Sequence, residues 1–184
     1  MKKVIIIGCP GSGKSTFSRA LSAICGIPVY HLDMMYWNAD KTSVPREIFI
    51  NDLCKVMEAP LWIIDGNYAS TMEMRIKECD TVVFLDYPTQ VCLEGVRSRK
   101  GKKRSDMPWV DNDSADEEFI EFINNYNSKS RPCVMKLLEQ YSEKNIIVFR
   151  DRSESERFLS DLKDIMHNTA HEKIKYTTKT ECDF

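Results

Sequence analysis

Apolar residues are distributed along the chain in two patterns. Five short unbroken runs, at residues 4–7, 28–32, 61–64, 81–85 and 145–149, contain no polar alternation. Such runs read as strands buried on both faces, as in a parallel sheet. Between them the apolar residues recur at helical spacing. Phe17, Ala20, Leu21 and Ile24 form one such face, and Phe49, Leu53, Val56 and Met57 form another behind a start signal at residues 43–45. Phe119, Phe122, Ile123 and Tyr126 give a third, and Val134, Leu137, Leu138 and Tyr141 a fourth. The last helix opens with Ser153-x-x-Glu156, read as a capping box, and is expected to bury Phe158, Leu159, Leu162 and Ile165. Strands alternating with helices predict right-handed βαβ units, hence an α/β fold with a parallel sheet covered on both faces.

The rhythm breaks over residues 97–116, which are charged and poor in aliphatics. A connection of that length is expected to be a lid inserted into the fold. The predicted organisation is one domain over residues 1–166, with the lid at about 97–116 and a helical continuation to about 141. A polar, loosely ordered tail is expected over 167–184. With 42% hydrophobic residues the chain can build a core, which excludes disorder throughout. No apolar run approaches the roughly 20 residues that span a bilayer, and the four after Lys3 are too few for a signal peptide. The net charge of −2 argues against a general nucleic-acid binder. The seven cysteines are odd in number and form no C-x-x-C pair, so a disulfide framework and a structural zinc site are both disfavoured. Free thiols in a reducing cytoplasm are the expectation.

The most specific chemical signal is Gly8-Cys9-Pro10-Gly11-Ser12-Gly13-Lys14-Ser15-Thr16, a full match to G-x-x-x-x-G-K-[ST] between a predicted strand and a predicted helix. Glycines let successive backbone N–H groups curl around a phosphate, and the helix adds its positive end. Lys14 is expected to bridge the β- and γ-phosphates of ATP, with the Ser15 hydroxyl on Mg²⁺. Gly8, Pro10, Gly11, Ser12, Gly13 and Thr16 complete the nucleotide site. Cys9 occupies a variable position of the motif and is read as spacing.

Three predicted strands run into aspartates: Asp33, Asp65 and Asp86. In a parallel sheet their carboxyl ends lie at the same edge as the phosphate loop. A carboxylate there can hold Mg²⁺ or take a proton from an attacking hydroxyl. Asp33 sits in Tyr30-His31-Leu32-Asp33-Met34-Met35-Tyr36-Trp37, where aromatic and thioether groups suit a ring-bearing acceptor. Asp33, Trp37, Asp65 and Tyr68 are the candidate acceptor residues, and His31 reads as a packed or hydrogen-bonded histidine. Arg75 is open between holding the acceptor and a place on a helix surface.

Residues 97–104 carry six cations, followed by an acidic stretch from Asp106 to Glu118. Arginines brought in by a closing lid can neutralise charge on a transferring phosphoryl group. Arg97, Arg99 and Arg104 are the candidates, with Arg131 a weaker one. A nucleic-acid contact and a solvated, internally paired loop are the competing readings. His167 and His171 have helical ligand spacing but no carboxylate partner, so no metal site is expected there.

Together these residues resemble the adenylate-kinase-like family of small P-loop kinases. The resemblance rests on the phosphate loop, His31-Leu32-Asp33 with Trp37, the segment 63–68 (IIDGNY), the segment 82–88 (VVFLDYP) and the arginines of 96–100 (VRSRK). More narrowly they resemble the bacterial DNA topology modulation proteins, over residues 1 to about 165. The resemblance implies a P-loop NTPase fold with a five-stranded sheet in order 2-3-1-4-5, ATP·Mg²⁺ as donor, and a lid between the fourth and last strands. It further implies that Asp33 works near the acceptor hydroxyl or the metal, and that Arg97 and Arg99 clamp phosphates. Nucleoside monophosphate kinases have a longer acceptor domain with a phosphate-gripping arginine, and residues 36–62 show no clear equivalent. The expected function is a cytoplasmic kinase, monomeric or homodimeric, moving the γ-phosphate of ATP to a small acceptor, with nucleosides or nucleotides among the candidates. The alternative is a nucleotide-binding regulator that contacts DNA or a partner through the basic lid with little turnover.

Overall fold

The computed structural model of the chain describes residues 1–99, 101–110 and 117–180, with side chains described to residue 168. Its centre is a five-stranded parallel sheet in the order β2-β3-β1-β4-β5, built from β1 (Lys3–Gly8), β2 (Val29–His31), β3 (Trp62–Asp65), β4 (Thr81–Leu85) and β5 (Asn145–Phe149). Ile5 of β1 pairs with Ile64 of β3 on one side and Val82 of β4 on the other.

The unbroken apolar runs follow from this position, because alternate side chains enter different cores. Val4, Ile6, Ile63, Val83 and Leu85 face one layer, where α1 (Lys14–Cys25), α5 (Thr89–Arg97), α6 (Glu117–Asn125) and α8 (Arg152–Thr180) pack. Ile5, Ile7, Trp62, Ile64, Val82 and Phe84 face the other, under α3 (Arg46–Glu58), α4 (Ala69–Glu78) and α7 (Arg131–Gln140). Helix α2 (Leu32–Tyr36) follows β2 directly, so Asp33 stands on the first turn of a short helix one residue beyond the expected strand end. A π-helical turn (Tyr126–Ser130) joins α6 to α7.

Several expectations need correction. The last helix is capped two residues earlier than expected: the Glu154 N–H donates to Asp151 Oδ1 at 3.0 Å, and the Glu154 carboxylate accepts the Arg150 N–H at 2.6 Å. An aspartate at the cap with a glutamate three positions on serves the same unpaired N–H groups as a Ser/Glu pair. Ile165 is 60% exposed, on a stretch of α8 that is exposed from Lys163 to Asn168. The helix continues past His167 to Thr180 where a loose tail is expected, and residues 181–184 lie outside the described residues. On α6 only half of the predicted face is inward: Ile123 and Tyr126 are buried while Phe119 and Phe122 are exposed. Lys100 and the lid acids Asp111, Asp113 and Asp116 also lie outside the described residues. No described helix is long and apolar enough to cross a membrane.

Candidate active site

The phosphate loop connects the central strand to α1 at the carboxyl edge of the sheet. Gly11 has φ +87, and a Cβ on it would lie 1.9 Å from the Cys92 carbonyl oxygen of α5. Reciprocally, a Cβ on Gly95 would lie 2.1 Å from the Gly11 carbonyl oxygen. Loop and helix therefore touch backbone to backbone, which only glycine permits. Gly13 ends the loop in the left-handed region as the cap of α1. The N–H groups of Gly13, Lys14 and Ser15 donate to no other described residue, and the buried Ser12 hydroxyl has no partner among them. Unsatisfied donors gathered in a concave loop at a helix start form an anion cradle. Lys14 Nζ folds back over the loop, donating to the Gly8 carbonyl at 2.9 Å and the Cys9 carbonyl at 3.2 Å. Burial pulls its pKa below the usual lysine value, while the Asp33 and Asp65 carboxylates favour its charge. A hydrogen bond with Cys92 and burial push the Cys9 thiol up, which suits a spacer and not a nucleophile.

The three strand-end aspartates meet three different fates. Asp65 is 3% exposed and accepts from Ser18 Oγ at 2.8 Å, with His31 Nδ1 at 3.0 Å. It ties α1 to β2 beneath the lysine and does not face an acceptor, contrary to expectation; His31 is the hydrogen-bonded histidine expected. Asp86 is gripped by Arg131 through two bonds of 2.8 Å and also pairs with Arg150. Both its oxygens are engaged, so Arg131 is an anchor for the chain after the lid. Asp33 alone keeps an open role. Its Oδ1 accepts the Tyr68 hydroxyl at 2.8 Å. Burial raises its pKa above the ordinary carboxylate value, although the Tyr68 bond and the nearby Lys14 and Arg104 charges pull the other way.

Around Asp33 the structure gathers the aromatic residues. Tyr36 contacts Trp37, Phe49 and Tyr68 at ring-centre distances of 4.9, 5.3 and 5.0 Å. Trp109 of the lid meets Trp37 edge-on at 5.8 Å. Tyr68 has a φ of +34, a strained conformation for a tyrosine, and it holds the ring over Asp33. Arg75 fixes that backbone. It is fully buried and donates to the carbonyls of Gly66, Asn67, Tyr68 and Thr71, so both sequence readings, acceptor ligand and surface residue, are corrected. Burial draws its pKa down to about 10.

The lid reaches over the loop through a residue that sequence reasoning passed over. Asp106, 3% exposed, pairs with Arg104 and lies 3.7 Å from Arg19 of α1, with the Ser15 hydroxyl near enough to favour its charge. Burial alone would raise its pKa, but Arg104 and Ser15 hold the carboxyl well below its ordinary value. Arg104 is thus near Asp33 and bound to Asp106, while Arg99 is close enough to Lys14 to oppose its charge. Arg97 is exposed at the end of α5. Among the described residues no cluster of His, Cys, Asp or Glu has the make-up of a metal cage, and the side chain of His171 lies outside them.

No protein-family model matches the chain, and neither does any curated protein. Solved structures do match. The shikimate kinase of Bacteroides thetaiotaomicron superposes with a TM-score of 0.53 at 20% identity, covering 89% of this chain and 97% of that one. At that identity the likeness is one of architecture. The chain has the P-loop NTPase fold expected from its sequence: a 2-3-1-4-5 parallel sheet with helices on both faces and the phosphate loop after the central strand.

Proposed function

We propose that the chain is an ATP-dependent kinase that passes the γ-phosphoryl group to a hydroxyl on a small acceptor seated against the aromatic wall. The observation that carries this reading is the meeting of three parts at one sheet edge: an anion cradle with Lys14, a carboxylate of raised pKa at Asp33, and a cavity walled by Tyr68, the ring that touches Asp33. The fold shared with a kinase supports it.

The loop N–H groups and Lys14 would take the β- and γ-phosphates. Asp33 would accept the hydroxyl proton, its raised pKa bringing it nearer to neutral pH, where a general base is most effective. Arg99 and Arg104 would counter charge on the transferred group once nucleotide competes with Asp106 for Arg104. Hard oxygen donors at Ser15 and Asp33 suit Mg²⁺, which when bound would draw charge from the phosphate oxygens. The same motifs carry the resemblance to the DNA topology modulation group, and we read the protein as a cytoplasmic member working as monomer or homodimer.

The test is ADP release from ATP·Mg²⁺ across a panel of nucleosides, nucleotides and small hydroxylated metabolites. Acceptor-dependent release that disappears in Lys14→Ala is the expected result. Release that persists in Lys14→Ala would overturn the mechanism. Tight ATP binding with no acceptor-dependent release across the panel would favour the regulator reading.

A further inference from the structure

The described part of the lid, residues 101–110, meets the domain at two places. Trp109 contacts Trp37 edge-on at the acceptor side, and Ser105 with Asp106 contacts α1 at the phosphate side. A loop that packs against its domain ordinarily does so by burying apolar side chains. Here the single buried residue of the stretch is a carboxylate, Asp106. Taking that charge out of water is costly unless cations take the place of the water, and two guanidinium groups do so. Arg104 donates to Asp106 through Nε at 3.2 Å and also through Nη2. Arg19 of α1 lies 3.7 Å from Asp106 and donates to Ser105 Oγ at 3.3 Å.

The position of Arg19 locates this cluster. It stands four residues after Ser15, so the two share one face of α1, and a long side chain on a helix leans toward the N-terminal end. Asp106 is therefore at the mouth of the phosphate cradle, a fixed negative charge beside the positive end of α1. The Ser15 hydroxyl favours its charge as well. A carboxylate between two guanidinium groups at a helix start makes the contacts that a phosphate oxygen would make there. Arg104 is also one of the arginines that the kinase reading gives to the transferred group, and here its fork is turned to Asp106. We infer that Asp106 is an internal competitor of the donor nucleotide: with Ser105 it latches the lid to Arg19 and Arg104, and the phosphates bind as the latch opens. The latch lowers nucleotide affinity by the fraction of molecules in which it is open. The inference rests on the cradle being a nucleotide site, and not on any acceptor being phosphorylated.

Calorimetry with ATP on the full chain, with and without Mg²⁺, tests it. Asp106→Asn keeps the shape, removes the charge and should bind ATP about tenfold more tightly in both conditions. Arg19→Gln removes the α1 half of the latch at an exposed position and should tighten binding about threefold. By charge alone, loss of a cation weakens the binding of a polyanion, so tightening in Arg19→Gln identifies the latch. The double variant should bind no more tightly than Asp106→Asn, since both changes break one contact. Unchanged or weaker ATP binding in either variant would overturn the inference, as would full additivity, and weakening confined to Mg²⁺ would make Asp106 a metal ligand instead. If Asp106→Asn does not fold, the sign of the change in Arg19→Gln decides alone. Tighter ATP binding in both variants without acceptor-dependent ADP release would leave the inference standing and overturn the kinase reading alone. No ATP binding by any form would overturn both.

Discussion

The phosphate loop and the aromatic wall face each other across Lys14 and Asp33, and they are held by different means. The loop is one contiguous stretch whose shape comes from backbone: left-handed glycines, unpaired N–H groups and direct contact between Gly11 and α5. The wall is assembled from Tyr36, Phe49, Tyr68 and Trp109, on four separate parts of the chain, and is set by ring packing and by the buried Arg75. On the proposed function, handling of phosphate and choice of acceptor would therefore be separable. The wall could be relined while the loop stays as it is, whereas Gly11 of the loop has no room for a side chain.

Substitutions on the two sides should give different signatures. Lys14→Ala is expected to cost the most, about 10³-fold or more in kcat, with an unchanged circular-dichroism spectrum. Asp33→Asn should lower kcat by about 10²-fold or more while ATP affinity, measured by calorimetry, stays the same. An equal loss of ATP binding would mean that Asp33 belongs to the phosphate side. Next come two stability changes of about 3 kcal/mol, readable as a fall in Tm. Gly11→Ala forces a Cβ into the Cys92 carbonyl, and Arg75→Met strands the carbonyls of Gly66, Asn67 and Tyr68. They should differ in kind at low temperature, where Gly11→Ala weakens ATP binding and Arg75→Met weakens acceptor binding. The smallest effect is a displaced pH profile. On the proposed mechanism Asp33 would act as a base only when deprotonated, so kcat should fall as pH drops through its raised pKa. The Tyr68 hydroxyl favours the carboxylate, so Tyr68→Phe should move that acid limb to higher pH. A limb moved to lower pH, or left in place, would assign the profile to another group.

The loop and the sheet were legible in the sequence because their signals are local: a nine-residue motif and runs of apolar residues. Helices α4 and α5 gave no such signal. The inward face of α4 holds Arg75 between Met72 and Ile76, which reads as a polar interruption until its guanidinium is seen on backbone carbonyls. The inward face of α5 includes Cys92 and Gly95, small because the phosphate loop lies against them. Asp106 looked like one acid among many, and its tie to α1 comes from Arg19, far away in sequence. The cavity walled by Tyr68 was hidden for the same reason, since its rings converge only when β2 and β3 pair.

The glycine crossing between loop and α5 also limits how such a protein can be altered by evolution or by design. The α5 helix ends at Arg97, where the lid begins, so the lid is rooted in the element that Gly11 touches. A side chain added at Gly11 collides with the Cys92 carbonyl and one added at Gly95 with the Gly11 carbonyl, and main chain cannot be trimmed in compensation. Both positions must therefore be glycine if the loop is to keep its contact with α5. A lid transplanted from a relative would have to bring its own helix with it, together with a glycine where that helix meets the loop.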